Sequence, residues 1–466
     1  MCRELAVDHD VVALVGSGLR AGAAGADPSI EWRACEAFSR RDVEAAIAGC
    51  DYIVYLVHTR MATARLDQVA CEDMDLLIAD NVARAASRHD VRQIVYLGGW
   101  IPAGEDGSGL AGRRREVMEA LSFYGTPVTT LRAGLVVAPG SSTLRLLASV
   151  ATRLPIVLVP QWALTRKQPI AVSDLIRGIR YCLGNEATYD RQFEVGGPVT
   201  LDFFDLLRHA AEVLQKAPTM VKVPLFPRRL YAGYLRLLDR QAHPELVQRV
   251  VESLPHDVIV GDNPVQRHIA RGATGPRGIV EPLIRQLDGR LPANPRDAVG
   301  DQYRSALRAN REVRSIQRVA LPRGRHAAWV ADHYFDWLSR LIRPFLYCDI
   351  DAGGACRVKA RWPRLLLLEL TLQASDSTAD RRLYGITGGL LARGTGRGRA
   401  RLEFRDVLGG RNTIIAIHDF APNLPWLFYR ATQATIHLAV MRGFQRHMAT
   451  LANTSTGQPG DESTPA

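Results

Sequence analysis

The fold is decided by two stretches of sequence, AGCDYIVYLVH over residues 48–58 and QIVYLGGW over residues 93–100. Each contains a short, continuous apolar run that ends in a polar or glycine residue, as a strand buried on both faces does. Helical patterns separate these runs from similar ones at residues 11–15, 128–131 and 192–195. This alternation predicts an α/β domain with a doubly wound, Rossmann-like parallel sheet over residues 1–260.

The beginning of this pattern is incomplete. A Rossmann-like domain opens with a strand and a glycine-rich turn, which bring the backbone and a helix N-terminus close to a cofactor pyrophosphate. Here residues 1–6 resemble the last turns of a helix, and the strand at residues 11–15 follows directly. The opening strand and the glycine-rich loop are therefore missing from the sequence. We expect a misassigned start in preference to a natural truncation, because a sheet without its central strand exposes unpaired edges.

The composition is that of a globular protein with more than one domain. The chain has 466 residues, of which 47% are hydrophobic and 23% charged, and this length predicts about two or three domains. The sequence shows no secretory signal and no apolar run long enough to span a membrane. The seven cysteines are scattered without a CxxC pair, so we expect no disulfide framework and a reduced, cytoplasmic environment.

The formal net charge of +11 comes largely from arginine. Such a charge favours nucleic acid or an anionic membrane in general, whereas the plainer explanation is an arginine-rich proteome with solvated faces. No recognition motif with interleaved aromatic residues accompanies the charge, so we expect no specific nucleic-acid partner. The charge is compatible with peripheral membrane contact.

The second half of the chain has a different pattern. Residues 261–312 are rich in Pro, Gly and Arg with weak periodicity, which predicts a connector. Residues 313–452 show a strand, a helix at 327–341, several further strands and a long closing helix at 424–448, which predicts an α+β sheet that grips a helix. Residues 453–466, rich in Thr, Gly, Ser and Pro, predict a disordered tail.

Candidate cofactor contacts follow two of the predicted strands at the points where they end. His58 follows the first of them, and Gly98, Gly99 and Trp100 end the second. Ligands of doubly wound sheets bind outside the carboxyl ends of the strands, so these residues are predicted to line the ribose and nicotinamide end of a cofactor. The alternative is a plain tight turn at the glycines and a surface histidine at the strand end.

Further motifs occur in a characteristic order: Gly-Cys-Asp before the first of these strands, Asn81 in a helix, LRAG at 131–134, QPIAVSD at 168–174 and FEVGGP at 193–198. Together they resemble the atypical, NmrA-like branch of the extended short-chain dehydrogenase/reductases. The second half is similar to the START/SRPBCC-like helix-grip domain of unknown function that follows the reductase-like half in bacterial members. The residues that carry this similarity are Phe420, Ala421, Pro422, Trp426, Tyr429, His437 and Met441.

The resemblance implies a protein that binds NAD or NADP and reduces or isomerises an apolar small molecule. It implies Ser108 and Arg114 as polar contacts of the substrate, and it adds Arg132 to the cofactor-binding set. The position that holds a histidine in related fusions holds Leu110. The family residues that select between NAD and NADP are replaced around Gly16 and by Ser39, so the cofactor preference stays open.

The acid–base pair of the wider superfamily is absent. Those enzymes use a Tyr-x-x-x-Lys pair, in which the lysine lowers the tyrosine pKa. Tyr124 is followed by Gly-Thr-Pro-Val and no lysine. Arg114 cannot serve as the base because a guanidinium keeps its proton in proteins. The competing hypothesis is therefore a non-catalytic redox sensor or ligand-binding scaffold with a degenerate cofactor site.

Two groups of residues in the second half have alternative interpretations. The first could line a cavity for an apolar ligand or could simply fill a core: Trp329, Phe335, Trp337, Leu338, Phe345, Trp426 and Phe428. The second group is His333, His418 and His437. These histidines belong to separate elements without metal-ligand spacing, so we expect no metal site.

Overall fold

The structure is a computed structural model. It describes residues 1–16, 27–57, 66–69, 71–101, 109–138, 142–239, 244–273, 313–341, 343, 345–351, 353–392 and 400–456. The chain divides into two compact units. Unit 1 comprises Met1–Leu56 and Val82–Tyr303, and unit 2 comprises Val57–Asn81 and Arg304–Ala466.

The strands are numbered in chain order. Unit 1 contains β1 (Val11–Val15), β2 (Ile30–Ala34), β3 (Tyr52–Tyr55), β5 (Gln93–Gly99), β6 (Val128–Ala133), β7 (Val136–Val137), β8 (Ile156–Pro160), β9 (Ile170–Ala171), β10 (Gln192–Val195) and β11 (Thr219–Val223). Unit 2 contains β4 (Leu66–Val69), β12 (Val313–Ala320), β13 (Leu346–Ile350), β14 (Cys356–Ala360), β15 (Leu366–Leu372), β16 (Arg381–Gly388), β17 (Arg401–Val407) and β18 (Asn412–Phe420).

The helices are numbered in the same way. Helix α3 (Cys71–Arg88) begins in unit 2 and ends in unit 1. The others of unit 1 are α1 (Cys2–Leu5), α2 (Arg40–Ile47), α4 (Gly109–Ser122), α5 (Ser142–Arg153), α6 (Val172–Cys182), α7 (Phe203–Val213), α8 (Arg228–Leu238), α9 (Pro244–Ser253) and α10 (Pro264–Ala270). Those of unit 2 are α11 (Ala327–Leu341), α12 (Trp426–Ala431) and α13 (Gln433–Thr456).

Parallel strands form the framework of unit 1. Its larger sheet has the order β10-β6-β5-β3, and all neighbours in it are parallel. β1 and β2 form a separate parallel pair. Side chains of this larger sheet, such as Val95 and Leu131, pack in one apolar core with Leu175 and Ile179 of α6. The structure therefore confirms the parallel α/β architecture that the sequence predicts.

Helix α10 lies inside the segment that the sequence predicts as a connector. Asn263 caps this helix by accepting a hydrogen bond from the backbone N–H of Gln266, and Pro264 occupies the first turn. Val265 and Ile269 are fully buried in the core that α6 also lines. The beginning of the predicted connector thus belongs to unit 1, because an Asn-Pro pair serves as well to start a helix as to make a turn. Residues 274–312 lie outside the described residues.

Unit 2 is built on one large sheet with the order β13-β14-β15-β16-β17-β18-β12-β4. Neighbours from β13 to β12 are antiparallel, and β4 joins β12 in parallel. One apolar core contains Phe335 of α11, Phe404 of β17 and Phe444 of α13. The predicted antiparallel sheet with a central and a closing helix is therefore present.

The segment 57–81 belongs to unit 2, whereas the sequence places it in the first predicted domain. Leu66 of β4 pairs with Val313 of β12. These residues are far apart in the sequence, so local sequence patterns cannot predict the pairing. The Asp73 carboxylate accepts a hydrogen bond from Arg318 at 2.8 Å, which joins α3 to β12. Unit 2 is thus assembled from two distant pieces of chain.

The closing helix differs from its prediction at both ends. Thr432, with φ −117° and ψ −80°, separates α12 from α13, so the predicted single helix is two helices. Helix α13 continues to Thr456, beyond the predicted boundary at residue 452. Residues 457–466 lie outside the described residues. In the described ranges, every helix is too short or too polar to cross a bilayer.

Candidate functional site

The candidate site lies at the carboxyl edge of the β10-β6-β5-β3 sheet in unit 1. Gly98 and Gly99 are the last two residues of β5, so they belong to the strand and do not form a turn. The backbone N–H of Trp100 donates to the Ala133 carbonyl at 3.0 Å and extends the ladder beyond β5. The carboxyl edge of the sheet is therefore formed here by the backbone at the ends of β5 and β6.

Arg114 reaches this edge from α4. Its Nη1 donates a hydrogen bond to the Trp100 carbonyl. A Cβ atom on Gly99 would lie 2.6 Å from Arg114 Nε, which real Cβ atoms essentially never do. Gly99 therefore provides the space in which the guanidinium lies against the backbone. The sequence connects these residues only through the family resemblance, and the structure brings them into contact.

Arg132 lies on the other side of the sheet edge. It is in register with Gly98, whose Cβ position faces the Tyr96 ring at 3.3 Å. Successive residues of a strand point to opposite faces, so Arg132 shares the side of Gly98, while Arg114 contacts the side of Gly99. Arg132 donates a hydrogen bond to Gln192 on the neighbouring strand. The two arginines therefore do not form a joint cation site.

Two of the predicted site residues, His58 and Ser108, lie outside the described residues. Their roles stay predictions. Tyr124, which has no lysine four positions later, lies in the turn between α4 and β6. That turn precedes the first residue of β6 and is therefore at the amino edge of the sheet, opposite to Gly99. Its ring packs under the Arg84 guanidinium at 4.7 Å.

A buried lysine that the sequence-based site lacks, Lys167, pairs through its backbone with Leu201 and Val258. Lys167 Nζ donates to Thr165 Oγ1 at 2.6 Å, to the Leu254 carbonyl at 3.2 Å and to the His256 carbonyl. Burial lowers the pKa of Lys167 to about 8. Its three N–H donors all meet oxygen acceptors, so the ammonium holds loops together and is not a free base. In the sequence, the QPIAVSD motif that directly follows Lys167 was the signal that could have drawn attention to this lysine.

Unit 2 contains a partly open cavity of about 100 Å³. His437 and Ser315 form its polar part, with His437 Nε2 3.0 Å from Ser315 Oγ. Burial lowers the pKa of His437 to about 4, so the imidazole is neutral at pH 7. The remaining lining is Tyr334, Phe335, Leu338, Val358, Leu368, Leu370, Leu402, Ile415, Ile417 and Met441.

The cavity lining corrects the sequence-based set. Phe335 and Leu338 line it, but Phe345 and Phe428 are 72% and 66% exposed. Phe345 directly precedes β13 at one end of the sheet, where no helix covers it among the described residues. Aromatic residue type alone did not distinguish an inward from an outward position.

The three candidate histidines lie in three different surroundings. His333 Nε2 is 2.9 Å from His447 Nε2, and His437 lines the cavity. His418 is fully buried, 3.3 Å from Glu403. Across the described ranges, no group of three or more His, Cys, Asp or Glu side chains is arranged to hold a metal ion.

Comparisons with known proteins give limited similarities. No family model matches the chain. The auxiliary protein GraX of Staphylococcus aureus is 30% identical over 104 residues, which are 22% of this chain and 30% of GraX. The chain thus spans less than a third of that relative's length.

Similar solved structures include a nucleoside-diphosphate-sugar epimerase from Staphylococcus aureus, with 14% identity, TM-score 0.46 and coverage of 59% of this chain and 91% of the epimerase. A Citrobacter triphenylmethane reductase complexed with NADP(H) has 15% identity, TM-score 0.45 and coverage of 58% and 90%. An NADPH-dependent quinone oxidoreductase from Escherichia coli has 14% identity, TM-score 0.45 and coverage of 60% and 90%.

Proposed function

We propose that unit 1 binds NAD or NADP at the carboxyl edge of its larger sheet, as an NmrA-like reductase does, and that the protein reduces or isomerises an apolar small molecule. The contact of Arg114 with Gly99 and Trp100 carries this proposal. Ligands of doubly wound sheets bind at this edge, where Gly98 and Gly99 leave the backbone without side chains. A guanidinium beside bare backbone fits a nucleotide, because it stays charged and can bind phosphate or carbonyl oxygen.

Each residue of the carboxyl edge would have a separate role in cofactor binding. Gly98, Gly99 and Trp100 would hold the nicotinamide end, and Arg114 would orient a carbonyl or phosphate oxygen. Arg132 would contribute positive charge from the other side of the edge, while His58 and Ser108 complete the proposed set. The bound nicotinamide would supply or accept the hydride, for which none of these side chains can substitute.

Cofactor titration of the whole chain tests the proposal. We expect NADH or NADPH to bind with saturation, followed by fluorescence or calorimetry. Gly99→Ala introduces a Cβ where the guanidinium lies, and we expect it to weaken binding about tenfold or more, equivalent to about 1.4 kcal/mol. Gly233→Ala is the matched control, because a Cβ there meets no atom within 4 Å. We expect this control to bind as the wild type does.

Two outcomes would contradict the cofactor proposal. One is the absence of saturable binding of either nucleotide by folded protein at millimolar concentration. The other is equal affinity in Gly99→Ala and Gly233→Ala, which would place the nucleotide away from this edge. Circular dichroism of both variants separates a lost site from a lost fold.

A non-catalytic function is the second candidate. It is favoured because Tyr124 is at the amino edge and the Lys167 ammonium already donates to three oxygens. Saturable nucleotide binding without turnover of any apolar carbonyl compound would support a redox sensor or ligand scaffold. Turnover that is lost in Arg114→Gln at unchanged nucleotide affinity would support the enzyme.

We further propose that unit 2 is a START/SRPBCC-like helix-grip unit whose cavity holds the apolar ligand. A cavity near 100 Å³ is suited to a single small ring, since a pocket of about 150 Å³ lined by similar residues binds benzene. Among the described residues that line it, none is charged at pH 7, because His437 is neutral. The ligand is therefore neutral, and the His437–Ser315 pair would receive one hydroxyl or carbonyl group.

Phenol and benzoate test the cavity as a neutral and an anionic probe. We expect phenol at about ten times its Kd to stabilise the protein by about 1.4 kcal/mol in thermal unfolding, and benzoate to have no effect. Ile417→Phe fills the cavity and should abolish the stabilisation, whereas Ile436→Phe, at a position 61% exposed on α13, should retain it. Equal stabilisation of both variants by phenol would place the probe elsewhere and contradict the proposal.

A further inference from the structure

One end of the sheet in unit 2 carries neighbouring exposed apolar side chains. The turn between β14 and β15 is closed by a hydrogen bond from the Ala360 N–H to the Leu365 carbonyl at 2.8 Å. The N–H of Arg361 donates to the Phe345 carbonyl at 2.8 Å, and the N–H of Leu390 donates to the Leu366 carbonyl at 3.0 Å. Backbone pairing therefore places the turn beside both neighbouring segments. We call Phe345, Arg361, Trp362, Arg364, Leu365 and Leu390 the Trp362 patch.

The apolar members of the Trp362 patch are strongly exposed. Trp362 is 91% exposed, Phe345 72%, Leu390 52% and Leu365 42%. Tryptophan is on average a highly buried residue, and clustered exposed apolar side chains mark interaction sites more often than isolated ones do. Trp362 stands at the tip of a hairpin, so it projects from the surface. A projecting side chain fits a soft or concave partner.

The charge of the patch is uniformly positive. Arg361 and Arg364 flank Trp362, are exposed, and form no ion pair with any residue in the described ranges. The sequence around the turn contains no Asp or Glu from residue 352 to 368. The segments that bear its neighbours also lack acidic residues, from 337 to 348 and from 381 to 402. The three segments that form the patch therefore contribute positive charge and no carboxylate to it.

We propose that the Trp362 patch docks on an anionic lipid bilayer. Tryptophan is enriched at membrane–water interfaces, where its amphipathic ring is stable at the depth of the headgroups. Arginines beside it pair with lipid phosphates, and each basic side chain near an anionic leaflet strengthens binding. A protein partner would be expected to meet the patch with carboxylates, and a nucleic acid would bind the arginines without needing Phe345 or the leucines. The combination of projecting aromatic, leucine and arginine side chains favours the membrane. This inference does not depend on the proposed cofactor or ligand.

Sedimentation with vesicles tests the docking of the whole chain. We expect binding to vesicles of phosphatidylcholine with 30% phosphatidylglycerol (about a third anionic lipid, to give a negative surface) and little binding to phosphatidylcholine alone. Arg361→Gln with Arg364→Gln should weaken binding about twenty-fivefold, from about fivefold for each arginine. Trp362→Ser should weaken it about tenfold or more through lost apolar burial. Raised salt should weaken wild-type binding, because it screens the charge component.

Matched variants separate the patch from general charge and hydrophobicity. Arg153→Gln with Arg271→Gln removes the same charge from exposed positions of unit 1, and Phe123→Ala removes an aromatic ring that is 53% exposed there. Both should bind vesicles as the wild type does. Wild-type binding by the Trp362→Ser and double-arginine variants would overturn the proposal, as would equal losses in the unit 1 controls. Retention of a protein or nucleic acid by the patch, without vesicle binding, would also overturn it.

Discussion

Replacing Arg405 by alanine is expected to lower the free energy of unfolding of unit 2 by about 3–5 kcal/mol, the cost of leaving a buried charge without its partner. Arg405 of β17 is fully buried. Its Nη1 donates to Asp80 at 3.0 Å and to Asn81, and its Nε donates to Glu403 at 2.9 Å. Glu403 also accepts a hydrogen bond from Arg381 at 2.6 Å. The alanine variant would remove this positive charge from beside the buried Glu403 and Asp80 carboxylates.

The loss should depend on pH with a defined sign. Burial alone would raise the pKa of Glu403, but Arg405, the His418 imidazole at 3.3 Å and Arg381 hold it well below the ordinary value of 4.5. The wild type therefore gains stability from this carboxylate above pH 4.5, and it loses that stability as the pH falls toward the lowered pKa. In Arg405→Ala the pKa of Glu403 rises. The difference between variant and wild type should therefore be largest near neutral pH and shrink below pH 4.5.

Urea unfolding of the whole chain, followed at several pH values, measures this effect. Arg446→Ala on α13 is the control, because Arg446 is exposed and its loss should change the unfolding free energy by less than about 0.5 kcal/mol. If Arg405→Ala does not fold, Arg405→Lys keeps a positive charge beside the Glu403 and Asp80 carboxylates and should retain part of the stability. A loss below about 1 kcal/mol in Arg405→Ala at pH 7 would contradict the importance of the network.

Gly197→Ala is expected to destabilise unit 1 by about 3 kcal/mol, at the upper end of the cost of overpacking. A Cβ on Gly197 would overlap the Pro169 carbonyl oxygen and lie 3.0 Å from its carbonyl carbon. Both contacts are backbone atoms, so no side-chain rotation relieves them. The Gly197 N–H also donates to the Gln168 carbonyl at 3.3 Å, which ties the two segments together. This close approach of the two backbone segments explains why the FEVGGP motif has glycine at residue 197.

A graded series makes this second effect specific. Gly196→Ala should cost less than Gly197→Ala, because its Cβ would meet Val260 Cγ2 at 2.8 Å and Gln168 Cβ at 3.0 Å, which are side-chain atoms. Gly261→Ala should be nearly neutral, since its Cβ would meet nothing within 4 Å. Thermal unfolding of the three variants measures the order. Equal stability of Gly197→Ala and Gly261→Ala would show that the two backbone segments can separate without cost.

The candidate site was predictable to the extent that it depends on strand ends. The apolar run before Gly98 and Gly99 places these residues at the carboxyl end of a parallel strand, and the structure has them there. The contact between Arg114 and Trp100 could not be predicted from their positions in the sequence, because it depends on how α4 packs against β5. The separation of Arg132 from Arg114 depends on the register between β5 and β6. Lys167 was missed because a lysine beside polar residues has the pattern of an exposed loop.

The sequence by itself determined several of the elements and the α/β class of unit 1. The continuous apolar run Val11–Val15 predicted β1, and the ranges predicted for β10, β12 and α11 match those of the structure. These signals are local, since they reflect which faces of a strand or helix must be buried. Only the tertiary structure decided which elements share a unit. The pairing of β4 with β12 and the bonds from Arg405 to Asp80 and Asn81 assign the segment 57–81 to unit 2. Such long-range contacts form between surfaces that no window of neighbouring residues contains.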